Sequence, residues 1–134
     1  MAERIRRHRG ARPKTWTTIE AALGLAPVIR DLREDAFVIL DCLSLWVSNA
    51  IESGLDDEAI VDEALEAAAL LAERAPPAVV VSNEVGLGIV PVNALARRYR
   101  DTLGRVNAAF ADASSRAYFV VAGRALLLGD VTIA

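Results

Sequence analysis

Apolar residues fall into two rhythms along the chain. Three near-continuous apolar blocks, "AFVILDCL" (36 to 43), "PAVVVSNEV" (77 to 85) and "AYFVVAG" (117 to 123), are rich in Val, Ile and Phe. Such blocks read as strands covered on both faces, as in a parallel sheet. Between them the period lengthens. "DDEAIVDEALEAAALLAERAPP" predicts a helix capped by Asp56 or Asp57 and stopped by Pro76 and Pro77. "NALARRYRDTLGRVNAAFADASS" predicts a second, capped by Asn93, with Leu95, Tyr99, Leu103, Val106 and Phe110 along one stripe.

The resulting order, strand, helix, strand, helix, strand, predicts an α/β sandwich. Upstream, "TWTTIE" alternates like a short strand, and "LAPVIRDLRED" reads as a short helix starting near Pro27. The last segment, "RALLLGDVTIA", predicts a hairpin or an edge strand. No internal repeat or low-complexity tract is present.

Composition narrows the class. At 134 residues, 54% apolar and 5% aromatic, the chain suits one domain, residues 1 to 134, with an aliphatic core. One cysteine, Cys42, rules out an internal disulfide, and no apolar run is long enough to cross a bilayer, so the expected location is cytoplasmic.

Charge is segregated. Arg4, Arg6, Arg7, Arg9, Arg12 and Lys14 oppose only Glu3 within residues 1 to 16, a balance of +5, so a total of -3 leaves -8 for the remainder. That asymmetry points to an anionic ligand at the basic end, a nucleic acid or a phosphate-bearing small molecule. A nucleic-acid arm fits poorly, because the remainder is acidic and no row of aromatic residues offers a stacking platform.

The only histidine, His8, sits inside this basic stretch. Its bland reading is a solvated side chain in a charged arm. Its chemical reading is that neighbouring cations disfavour imidazolium, leaving a lone pair near pH 7 beside groups that neutralise phosphate oxygens. Arg9 and Arg12, with Gly10 and Ala11 between, are either surface charge or a fork over a triphosphate. Glu20 is either a surface residue or an acceptor for sugar or base donors.

Ligands of open α/β sheets bind beyond the carboxyl ends of the strands. The first block reaches Asp41, read either as a buried carboxylate satisfied by backbone donors or as a group that orients Mg²⁺. The second reaches Ser82, Asn83 and Glu84, either a capping turn or part of a site. Gly86 and Gly88 form only G-x-G, which most simply permits a tight turn. Nothing matches G-x-x-x-x-G-K-[ST], the loop that holds β and γ phosphates.

In order, "RIRRHRGARPKTWTTIE", "VILDCLSLWVSN", "VVVSNEVGLGIVPVNALARRYRDTLGRVN" and "VVAG" resemble the bifunctional adenosylcobinamide kinase / adenosylcobinamide-phosphate guanylyltransferase family of cobalamin synthesis. The resemblance implies a P-loop-NTPase-like α/β fold with a mostly parallel sheet flanked by helices. It implies phosphorylation of adenosylcobinamide by ATP or GTP. Transfer of GMP from GTP through a guanylylated histidine follows, giving adenosylcobinamide-GDP. His8 matches that histidine; Arg9, Gly10, Ala11, Arg12 and Glu20 match nucleotide-contacting positions, and Asp41 the acidic strand end, expected to serve nucleotide and Mg²⁺. A homo-oligomer, a trimer, is implied as well, with small-molecule substrates and no nucleic acid.

One part of the family pattern is missing. Relatives place a strand and a G-G-x-R-S-G-K-S loop before the histidine motif, so Met1 stands where about a third of the family chain has passed, judged from the size of a βαβ unit. The expectation is an N-terminally truncated chain starting at an internal methionine. The alternative is an inactive nucleotide-binding remnant or regulatory module.

Overall fold

The computed structural model describes residue 13 and residues 15 to 129. The elements run α1 (Leu25–Arg30), β1 (Val38–Asp41), α2 (Leu43–Glu52), α3 (Asp57–Ala72), β2 (Ala78–Val81), α4 (Ala94–Ala113), β3 (Ala117–Val121) and β4 (Arg124–Leu128). β1 and β2 pair in parallel, Val38 opposite Ala78 through Asp41 opposite Val81. The α/β class with helices against a parallel sheet is as expected.

The helices begin where their chemistry dictates. Asp56 accepts from the Ala59 amide at 2.8 Å, and Asn93 accepts from Leu95 and Ala96 at 2.8 and 3.2 Å, each satisfying donors that the first turn leaves orphaned. α1 starts two residues before Pro27, after Gly24 at φ +66°, a conformation that glycine adopts without a Cβ penalty.

The core lies between the helices and one face of β1 and β2. Leu43, Val47, Ile60, Leu103 and Val106 are closed to water, and Val38, Leu40, Ala78 and Val80 pack against the same cluster. The α4 stripe holds from Leu103 through Val106 to Phe110, with Tyr99 at its margin; Leu95 is exposed. Arg98 joins α4 to the start of α3, its Nε 2.7 Å from Asp57 Oδ1 and its Nη2 2.6 Å from the Leu55 carbonyl. Arg105 makes a two-pronged contact with Glu58 at 2.8 and 2.7 Å.

Four expectations change. Ile39, Val79 and Val81, on the other face of the strands, are exposed, so each strand alternates and only one face is covered. The third block does not extend the parallel sheet among the described residues; β3 pairs antiparallel with β4. Their connection is Ala122 and Gly123, both at positive φ (51° and 70°), the combination that matches the twist of a two-residue hairpin. No strand forms over 15 to 20, where Trp16 and Ile19 are exposed. The run after Asp41 turns into α2, because Leu43, Trp46, Val47, Ala50 and Ile51 recur at helical spacing and are all buried.

Two outcomes follow from this packing. Leu103→Ala removes a fully buried side chain and is expected to cost about 2 to 5 kcal/mol, lowering the urea midpoint with an unchanged m value. The Arg105 contact, first through its hydrogen bonds and then through its charge, holds the Glu58 carboxyl below its ordinary value of 4.5. A pKa depressed in the folded state gives stability that is complete above that ordinary value and lost as pH falls through the folded one. Glu58→Gln is therefore expected to flatten the acid limb of the stability profile by slightly lowering stability in the neutral region, with stability below the folded pKa nearly unchanged.

Candidate active site at the strand ends

Parallel pairing brings the carboxyl ends of β1 and β2 side by side. β1 ends at Asp41, Cys42 turns the chain in an extended conformation, and α2 starts at Leu43. This tight exit places Ser44 in the first helical turn, beside the exit of β2. Its hydroxyl donates to Asn83 Oδ1 at 2.7 Å, and Cys42 Sγ lies 3.0 Å from the same hydroxyl oxygen.

Helix α4 completes the framework. Asn107 Nδ2 donates to the Asn83 carbonyl at 3.1 Å, while its Oδ1 accepts from Ser82 Oγ at 2.5 Å. The Tyr99 hydroxyl donates to the Ser44 carbonyl at 3.1 Å. Burial chiefly, and then the nearby Cys42, push the Tyr99 phenol above its ordinary value, so it remains a proton donor at neutral pH. Six side chains thus lock two strand ends to two helices, and a network this connected holds its members in one arrangement.

Two carboxylates flank the network. Asp41 is exposed at the end of β1, so it is not the buried, backbone-satisfied carboxylate of the bland reading. Glu84 accepts from the Gly86 amide, and a Cβ at Gly86 would lie 2.7 Å from Glu84 Oε1, displacing that flexible carboxylate. Gly88 has open space around it. Among the described residues no three His, Cys, Asp or Glu side chains converge as a metal cluster. Mg²⁺ commonly takes one or two carboxylates and completes its shell with phosphate oxygens and water, and an exposed Asp41 fits that mode.

Glu20 is exposed, in the segment leading to α1. That segment is fastened next to α2 by Asn49 Nδ2, which donates to the Ala22 carbonyl at 3.3 Å. His8, Arg9, Gly10, Ala11 and Arg12 lie outside the described residues. Sequence reasoning singled out Asp41, Ser82 and Asn83 at the strand ends but not Ser44, Tyr99 and Asn107, which the structure brings to the same place. Ser44 carried a usable clue: a hydroxyl three residues beyond a strand-terminal aspartate, at the start of an apolar helical stripe.

Among the described residues no helix is long and apolar enough to cross a membrane. The family model described as "Cobinamide kinase / cobinamide phosphate guanyltransferase" matches residues 1 to 128. The "Bifunctional adenosylcobalamin biosynthesis protein CobP" of Pseudomonas aeruginosa is 41% identical over 125 residues, which cover 92% of this chain and 71% of that protein. The "Bifunctional adenosylcobalamin biosynthesis protein CobU" is 38% identical in Salmonella typhimurium and 39% identical in Escherichia coli, each over 136 residues, 92% of this chain and 75% of the relative. The chain belongs to the cobinamide kinase / cobinamide phosphate guanyltransferase family.

Proposed function

We propose that this chain transfers GMP from GTP to adenosylcobinamide phosphate, with His8 as the covalent carrier. The observation that carries the reading is the family match across residues 1 to 128, which includes the histidine in its basic setting. A neutral His8 nitrogen attacks the α-phosphorus of GTP; a P–N bond forms, the α–β P–O bond breaks, and pyrophosphate leaves. A phosphate oxygen of adenosylcobinamide phosphate then attacks the same phosphorus. The P–N bond breaks, adenosylcobinamide-GDP forms, and the imidazole is restored.

The other residues serve that displacement. Arg9 and Arg12 clamp phosphate oxygens, whose charge grows as the bond to pyrophosphate breaks. Gly10 and Ala11 let the backbone approach the nucleotide, and Glu20 accepts from its sugar or base. Asp41 holds Mg²⁺, which supplies charge neutralisation at the phosphates when bound. The Ser44, Asn83 and Asn107 network supports this reading by fixing the strand end that carries Asp41.

The family name also carries phosphorylation of the cobinamide hydroxyl. The 134 residues contain no G-x-x-x-x-G-K-[ST] stretch, so the transfer half is the activity we assign to these residues. We read residues 1 to 134 as one transferase domain, working as a homo-oligomer, a trimer.

Incubation with GTP labelled at the α-phosphate and Mg²⁺ is expected to give an acid-labile, base-stable label on the protein. His8→Ala abolishes it, while Arg12→Ala weakens GTP about tenfold, the size of one lost charged contact. Asp41→Asn is expected to slow labelling by on the order of a hundredfold at fixed Mg²⁺. A chain that binds GTP yet never takes label, or a His8→Ala chain that keeps it, supports the non-catalytic remnant instead.

A further inference from the structure

Asn83, two residues beyond the end of β2, is exposed, yet neither of its two carbonyl groups is free. Its backbone carbonyl accepts from Asn107 Nδ2 at 3.1 Å, and Asn107 is held in turn by Ser82 Oγ, which donates to its Oδ1 at 2.5 Å. The side-chain Oδ1 of Asn83 accepts from Ser44 Oγ at 2.7 Å. Ser44 is only 7% exposed, and its carbonyl is bonded to the Tyr99 hydroxyl.

A serine hydroxyl has one proton to give. That proton goes to Asn83, so in the 3.0 Å contact between Cys42 Sγ and Ser44 Oγ the thiol is the donor. The bonds run in one direction, thiol to hydroxyl to amide, and each polarises the next. The reverse orientation of the amide would turn Nδ2 onto the Ser44 oxygen and leave the serine proton only sulfur, a weak acceptor. Ser44 thereby decides which way the Asn83 amide faces.

The far end of this row is open. Among the described residues, Asn83 Nδ2 makes no bond. An amide with its oxygen engaged and its orientation set offers a ligand N–H donors, which suit an anionic oxygen. The parallel register sets the end of β2 beside Asp41 at the end of β1, where ligands of such sheets bind.

We propose that Asn83 Nδ2 donates to a phosphate oxygen of the nucleotide triphosphate, and that Ser44 is its positioning residue. This inference rests on the transferase reading above and adds a preorganised neutral donor to the charged groups named there. It also gives the Ser44 and Asn107 bonds a purpose at the ligand: they aim one amide.

The test measures dissociation constants of the full chain, with Mg²⁺, for two ligands that cannot pass on a nucleotide. These are a GTP analogue with a methylene bridge between its α- and β-phosphorus, and inorganic triphosphate. Asn83→Asp keeps the oxygen that Ser44 bonds and replaces the NH₂ group by a second oxygen, so a purely structural Asn83 would tolerate it. Asn83→Ala is expected to weaken both ligands about tenfold, the size of one hydrogen bond to a charged group. Asn83→Asp is expected to weaken them more, on the order of a hundredfold, because it sets a like charge against phosphate. Ser44→Ala weakens them several-fold, but has no further effect in the Asn83→Ala chain, where nothing is left to position. An unchanged urea midpoint verifies folding of the Asn83 variants, whose substituted side chain is exposed. Three results overturn the proposal: Asn83→Ala within twofold of the unsubstituted chain, Asn83→Asp binding as tightly as Asn83→Ala or better, or losses confined to the GTP analogue, which move the contact to base or sugar. If the unsubstituted chain takes label from GTP and the Asn83 variants bind normally, this inference alone fails. If it takes no label, the transferase reading fails, and the dissociation constants still decide the role of Asn83; a chain that binds neither ligand overturns both.

Discussion

The arrangement depends on the burial of one face of the β1–β2 pair beneath the helices. Leu103 and Val106 of α4, closed to water, meet Ile60 of α3 and Leu43 and Val47 of α2 in a single cluster that also takes in Val38, Leu40, Ala78 and Val80. A parallel pair of four-residue strands has little stability of its own, so its register is set by this one-sided packing. Slipping either strand by one residue would turn its apolar partners out of the core. The same register is what brings Asp41 next to Val81, and hence Ser44 within reach of Asn83.

Polar specificity is built on that apolar base. Ser44, Asn83, Ser82 and Asn107 satisfy one another at distances between 2.5 and 3.1 Å, and Tyr99 adds a bond from α4 to α2. Each of these groups would be costly if left unpaired in a half-buried position, so the network tolerates few alternatives. Asp41 and Glu84 stay outside it and are exposed, Glu84 accepting from the Gly86 amide. The rigid groups thus position the strand ends and the exposed carboxylates beside them.

Much of the fold was legible because its signals are local. Asn93 and Asp56 cap the helices they were expected to cap, and Leu103, Val106 and Phe110 form the buried stripe their spacing predicts. The misses share a cause: an apolar run has no direction of its own. Leu43 to Val47 reads as a continuation of the strand until Ala50 and Ile51 complete the helical spacing, and the 117 to 123 block carries no mark of which strand it pairs with. In the site, Asp41 was visible as a carboxylate at a strand end. The Ser44 and Asn107 partnership was not, because it joins residues 39 and 24 positions away through Asn83, a distance no local pattern encodes.

The proposed transfer depends on a single atom, a nitrogen of His8, as the acceptor of the guanylyl group. Its most direct measurement is peptide mapping by mass spectrometry, with digestion kept alkaline, after the full chain has met GTP and Mg²⁺. A GMP adduct on the peptide that contains His8, lost again when adenosylcobinamide phosphate is added, is the predicted result. No adduct, or an adduct on a residue other than His8, contradicts it.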